Sequence, residues 1–104
     1  WTEKEPMPPG LERYGAIGFA TQSKGYVGMG LDNNYDPLND MWRFDPAAKG
    51  GNGSWTGVSD FPAQERKFPL ALSNGEQVLV GLGWFGVDEG YPSDLLEYVP
   101  KHDE

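Results

Sequence analysis

The opening phrase of this chain returns half-way along it. Trp1-Thr2, Met7-Pro8 and Arg13 are answered in order by Trp55-Thr56, Phe61-Pro62 and Arg66. The spacing is 54 residues at the tryptophan and 53 at the arginine. A repeat of this length is one supersecondary unit, and such units bury their apolar faces mainly against neighbouring copies. Two equivalent units are therefore expected in the 104 residues, neither of them complete alone.

Patterning inside the repeat predicts strands. Residues 16–21 alternate so that Ile17 and Phe19 share a face, the period-two mark of a strand. A turn over 22–25 leads to a second strand, 26–30, that ends in spaced glycines. A loop at 32–37, rich in turn formers, precedes a third strand over 40–46, with Trp42 and Phe44 on one side and Pro46 closing it. A Gly-rich turn at 49–53 leads to a fourth strand over 54–59, opened by Trp55. The second copy repeats the plan at 69–72, 77–83 and 93–100, with Asn74-Gly75 as a hairpin turn pair. Gly81-Leu82-Gly83 falls on Gly28-Met29-Gly30, and Leu96 and Tyr98 fall on Trp42 and Phe44. Fifteen Gly and nine Pro fit many short strands, because Gly supplies positive φ and Pro stays out of sheet interiors. No stretch carries a helical apolar period, so the expected class is all-β and antiparallel.

The ordered set resembles the kelch family. An Arg opens the first strand (Arg13) and glycines follow an aromatic second strand (Tyr26, Gly28, Gly30). The third strand ends aromatic-Asp-Pro (Phe44-Asp45-Pro46) and a Trp opens the fourth (Trp55). The wording is similar to bacterial kelch proteins of the Bacteroidetes type, over nearly the whole chain. The resemblance implies kelch-type β-propeller blades: two four-stranded antiparallel blades at 13–60 and 66–100, a strand at 1–7 that completes a blade, and a polar tail at 101–104. Three departures stand out. The glycines are Gly-x-Gly rather than adjacent, Val99 stands where Asp is usual, and Lys67-Phe68-Pro69 replaces Tyr14-Gly15-Ala16.

Two blades cannot close a ring in one chain, since propellers carry roughly four to eight. Either several chains assemble, each lending its Trp1 strand to a neighbour, or the blades belong to a longer propeller, or they pack on each other as a two-sheet domain. Three chains would give six blades. A lone chain would expose apolar blade faces, which are association sites, so a stable monomer is not expected.

Composition narrows the function classes. A net charge of −8 repels phosphate backbones and argues against nucleic acid. No apolar run approaches the ~18 residues of a membrane span. Cysteine is absent, and the single histidine, His102, sits in the polar tail. Disulfides, thiol nucleophiles, zinc sites and Ser-His-Asp triads therefore lack their parts. No catalytic residue, metal or cofactor is assigned. The loop acids do not follow the calcium-loop spacing, and the Gly-x-Gly runs lack the Lys-Ser or Lys-Thr of a phosphate loop.

The candidate ligand contacts are Arg13, Arg66, Tyr35, Trp84 and Tyr91. A guanidinium is a bidentate partner for carboxylates, although the favoured role of each arginine is to hold backbone carbonyls or a nearby acid between blades. Tyr35, Trp84 and Tyr91 lie in equivalent loops, 31–36 and 84–91, beside Asp and Asn. Loops on rigid scaffolds carry binding, and aromatics beside such groups suit a sugar. Trp1, Trp42 and Trp55 read as core and interblade packing. The resemblance implies a binding or scaffolding module for a protein or glycan, in an exported or periplasmic setting. The alternative it offers is a fragment of a carbohydrate-active kelch enzyme such as a sialic-acid mutarotase, with Arg13, Arg66, Glu12 and Glu65 as its groups. The copper oxidases of the family need a Cys and His ligands that have no counterpart here.

Overall fold

A computed structural model describes residues 1–100; the tail 101–104, with His102, lies outside the described residues. The fold is all-β. Strands β1 (Ile17–Ala20), β2 (Gly25–Gly28), β3 (Met41–Asp45) and β4 (Ser54–Val58) form one antiparallel sheet in chain order. Strands β5 (Leu70–Ser73), β6 (Val78–Gly81) and β7 (Leu95–Tyr98) form a second. Neither sheet closes into a barrel. The Gly-rich turn before β4 contains one short 3-10 turn, Lys49–Gly51. Among the described residues no helix is long and apolar enough to cross a membrane.

Register sorts the side chains onto two faces of each sheet, because successive residues of a strand point oppositely. In the first sheet Ile17 pairs with Gly28 and Gly28 with Met41, while Phe19 pairs with Tyr26 and Tyr26 with Arg43. These residues make up its front. Val27 opposite Trp42, and Phe44 opposite Trp55, make up its back. In the second sheet Ala71, Val80 and Leu96 form one row across the strands, and Ser73, Val78 and Tyr98 another.

The core lies between the sheets. Ile17, Met29, Met41 and Phe61 pack with Val78 and Val80, and Phe19, Val58, Ala71, Leu96 and Tyr98 close around them. Tyr98 meets the rings of Phe19 and Tyr26 at 5.9 and 5.7 Å. The inner strands β1 and β5 lie side by side, tied by the Ser73 hydroxyl donating to Ala20 O at 2.8 Å and by a parallel bridge from Thr21 to Gly75.

The expected strand at 1–7 is not formed, so the second sheet has three strands rather than four. Glu5 N–H donates to Asn52 O at 3.0 Å, and Trp55 Nε1 donates to Glu5 O at 2.9 Å. Trp55 is on the back of the first sheet, so this segment lies on the side away from the second sheet. It has no β3-like neighbour there to pair with, and Pro6, Pro8 and Pro9 have no N–H to give a ladder. Trp1, expected in the packing, is fully exposed, whereas its counterpart Trp55 is half-buried against Phe44 with ring centroids 4.9 Å apart.

The spaced glycines have two separate jobs. A Cβ on Gly28 would strike Asp40 O, and one on Gly81 would strike Asp94 O. Gly30 and Gly83 sit at φ +88° and +103°, where a Cβ would lie 2.7 Å from Tyr14 O and from Lys67 O respectively. Gly30→Ala and Gly83→Ala should therefore each destabilise by more than about 1 kcal/mol. Gly25→Ala, with nothing within 4 Å of its Cβ, should be close to neutral. Urea denaturation of the three variants checks this.

Candidate functional site

The two arginines form the same construction twice. Arg13 Nε donates to Leu11 O at 3.1 Å, and Nη1 donates to Met29 O at 3.1 Å and to Asp40 Oδ1 at 2.5 Å. Its Nη2 donates to Asp40 Oδ2 at 2.8 Å. Arg66 Nε donates to Gln64 O at 3.0 Å and Nη1 to Leu82 O at 3.4 Å, while Asp94 receives both terminal nitrogens. Each guanidinium thus commits four of its five N–H donors to its own repeat. The side chains of Arg13 and Arg66 are 4% and 1% exposed. Arg66 also lies over the rings of Phe61 and Phe85, at 4.7 and 5.3 Å.

Local backbone geometry makes room for this clamp. Met29 and Leu82 adopt left-handed conformations, with φ of 56° and 55°, which turn their carbonyls towards the arginines. Their N–H groups donate to Asp40 O at 2.9 Å and Asp94 O at 3.0 Å. Tyr14 and Leu31 exchange a pair of backbone hydrogen bonds at 3.1 and 2.9 Å, and Lys67 and Trp84 do the same at 2.7 and 2.9 Å. The clamp therefore fixes the approach to the first strand, the turn after the second and the entry to the third. The candidate loops hang from that frame.

The loop at 31–36 is held in a strained shape. Asp32 Oδ1 accepts from Asn34 N at 2.8 Å and from Asp36 N at 3.0 Å. Tyr35 N donates to Asp32 O at 3.1 Å, and Tyr35 sits at φ +64°, where a bulky residue is uncommon. This geometry carries the Tyr35 ring towards the second repeat. The ring lies 6.0 Å from that of Tyr14, and the Lys67 ammonium sits 4.0 Å from its centroid. The same ammonium is 5.6 Å from the Trp84 ring. Tyr35 and Trp84 are thus brought to one cation, while Tyr91 stands exposed without a ring contact to either.

Beside this cluster is an open cleft of about 480 Å³, lined by Pro37, Asn39, Ala63, Gln64, Glu65, Phe85 and Glu89. Asn39 Nδ2 donates to Ala63 O at 3.1 Å, and its Oδ1 is buried with no hydrogen-bond partner. Four contributors, Tyr14, Lys67, Asp40 and Asp94, were not candidates from sequence. Tyr14 and Lys67 occupy equivalent places in the two repeats, and the repeat alignment already paired them. Asp40 and Asp94 were likewise aligned, so the coincidence of a repeated Arg with a repeated Asp was the available signal. Among the described residues no three His, Cys, Asp or Glu converge on a common point.

Charge settles on the clamps. Burial pushes the Asp40 carboxyl up, but hydrogen bonds from Arg13 and Trp42, and the Arg13 charge, outweigh it and hold the group below the ordinary range. Asp94 is lowered chiefly by its hydrogen bond from Arg66, against some burial and with the Arg66 charge assisting. The Tyr14 phenol is raised, by desolvation first and then by Tyr35 and Asp32. No protein-family model and no curated protein matches the chain.

A carboxylate lowered on folding stabilises above its unfolded value, about 3.9 for Asp, and that stability fades as pH falls through the folded value. Wild type should lose stability progressively below about pH 4. Asp40→Asn and Asp94→Asn should each cost about 1–2 kcal/mol at pH 7, at the low end for a charged hydrogen-bonded pair because both carboxylates are partly solvated. Each variant should also flatten the acid limb. Denaturant titrations from pH 7 to pH 2 read both effects.

Proposed function

We propose that the chain is a pair of kelch-type repeats acting as a binding module, which engages a glycan or protein ligand through the loop end of its two sheets. The observation that carries this reading is Lys67 lodged between Tyr35 and Trp84, three side chains drawn from both repeats. Aromatic rings with an exposed face stack on sugar rings or on apolar side chains, and an ammonium held against them supplies donors and charge. Glu65 and Glu89 in the neighbouring cleft, together with Asp32 and Asp36, are acceptors for hydroxyl or amide donors. Tyr91 serves as a rim contact.

The arginines support this role from behind. With four donors each committed to backbone carbonyls and to Asp40 or Asp94, and with their side chains buried, Arg13 and Arg66 hold the loops in place. The strain at Tyr35 fits a site where shape is retained for recognition. Scaffolding by self-association belongs to the same reading, because each repeat offers a face that another repeat can cover.

Glycan and peptide arrays should return a preferred ligand, and calorimetry then ranks the residues. Trp84→Ala and Tyr35→Asn, the latter chosen because Asn tolerates the left-handed backbone, should each weaken binding by about tenfold or more. Tyr91→Ala should weaken it less. Unchanged affinity in both the Trp84 and Tyr35 variants, with melting temperatures intact, contradicts the assignment.

A further inference from the structure

Two of the chain's five asparagines, Asn52 and Asn74, are followed by glycine. The backbone nitrogen after an asparagine can attack its side-chain carbonyl carbon, and glycine, with no Cβ, shields that nitrogen least. The two pairs sit in different surroundings. Asn52 has a right-handed helical conformation, φ −74° and ψ −31°. Its Nδ2 donates to Glu5 Oε1 at 3.2 Å, and Gly53 N donates to Ala48 O at 2.9 Å. Gly53 is buried against the Phe44 ring. The attacking and the leaving nitrogen are therefore both engaged. Asn74 is exposed in the turn between β5 and β6, with open space around Gly75. Its Oδ1 accepts from Glu76 N at 3.0 Å and from Gln77 N at 2.8 Å. Gly75 N donates to the Ser73 hydroxyl at 3.1 Å, and among the described residues Asn74 Nδ2 has no partner.

We propose that Asn74 is a site of spontaneous modification, at which the folded turn itself promotes conversion to aspartate and isoaspartate. The two N–H groups on Oδ1 draw electrons from Cγ. They also meet the negative charge that gathers on that oxygen during attack, as an oxyanion hole does. Gly75 N bonds to Cγ and gives up its proton to solvent hydroxide. The Cγ–Nδ2 bond breaks, and the side-chain nitrogen takes a proton from water and leaves as ammonia. A cyclic imide remains, and one water opens it. Addition at Cγ frees a side-chain carboxylate, giving aspartate. Addition at the backbone carbonyl breaks its bond to Gly75 N instead, giving isoaspartate with the chain routed through Cγ. One water enters and one ammonia leaves, with no oxidant or metal required. The two products act differently on the seam between the sheets. Aspartate keeps an acceptor for Glu76 N and Gln77 N. Isoaspartate adds a methylene to the main chain between Ser73 and Gly75, the residues that tie the second sheet to Ala20 and Thr21. This turn lies at the opposite end of the strands from the loops that carry Tyr35 and Trp84. Isoaspartate therefore loosens the seam and leaves the loop cluster in place.

Neither the site nor its test involves a ligand, so the outcome is independent of the binding role above. Trypsin places the two Asn-Gly pairs in separate fragments, 50–66 and 68–101, each with a single asparagine. The intact chain is incubated at mildly alkaline pH in heavy-oxygen water, with and without urea, then digested in ordinary water and analysed by mass spectrometry. From the folded chain, fragment 68–101 should exchange its amide nitrogen for one heavy oxygen, and a methyltransferase specific for isoaspartyl carboxyls should label it. Fragment 50–66 should lag by about tenfold, the factor carried by about 1.4 kcal/mol of barrier, because its hydrogen bonds must first be released. In urea the two fragments should convert at similar rates, with 68–101 no faster than in the folded chain. Asn74→Gln should abolish the uptake in 68–101. Equal conversion of the two fragments in the folded chain overturns the proposal. So does faster conversion at Asn52, slower conversion of 68–101 folded than in urea, or uptake that persists in Asn74→Gln. The isoaspartyl fraction should unfold at a lower urea midpoint than Asn74→Asp, and equal midpoints overturn the effect on the seam.

Discussion

A guanidinium gripped at four of its N–H groups organises each half of this protein. Arg13 and Arg66 reach across their repeats to Asp40 and Asp94, and on the way they collect a carbonyl from the turn after the second strand. Each clamp ties the start of its repeat to the entry of its third strand. The glycines exist to let those segments approach, since Gly28 and Gly81 press on the backbone of the clamping aspartates and Gly30 and Gly83 press on the residues beside the arginines. Charge, backbone shape and side-chain size therefore agree at one point in each copy.

That agreement sets the shape of the loops at one end of the sheets. The clamps fix the backbone from which the loops hang, and Tyr35, Lys67 and Trp84 meet there. The loop cluster lies at one end of the strands, whereas the leucines of the second sheet and the back of the first occupy the faces. The charge of −8 limits indiscriminate association.

Much of the fold was legible because strand periodicity is local. Trp42 with Phe44, and Leu96 with Tyr98, were placed on common faces by alternation alone, and Asn74-Gly75 marked its turn. The segment at 1–7 departs from the expected strand for the opposite reason. Its Trp-Thr wording matches β4, but a strand exists only with a partner, and the chain puts this segment where no third strand adjoins it. The site was half legible. Tyr35 and Trp84 stood out as loop aromatics, yet the cation that joins them, Lys67, read only as a departure from the first copy. Their meeting depends on how the two sheets pack, and no local pattern encodes that. Tyr91 was grouped with them by its loop, and it stands exposed just past the bridge between Gly86 and Gly90.

The account stands or falls with the clamp, and a double-mutant cycle on Arg66 and Asp94 reads it most directly. Arg66→Met keeps an unbranched apolar stem while removing the guanidinium that lies over Phe61 and Phe85, and Asp94→Asn keeps the shape of its partner. Denaturant unfolding of the wild type, the two single variants and the double variant should give a coupling of about 1–3 kcal/mol between the positions, with a similar value for Arg13 and Asp40. Additive losses, with no coupling at either pair, would show that the arginines are packed bystanders and that something else holds the repeats in shape.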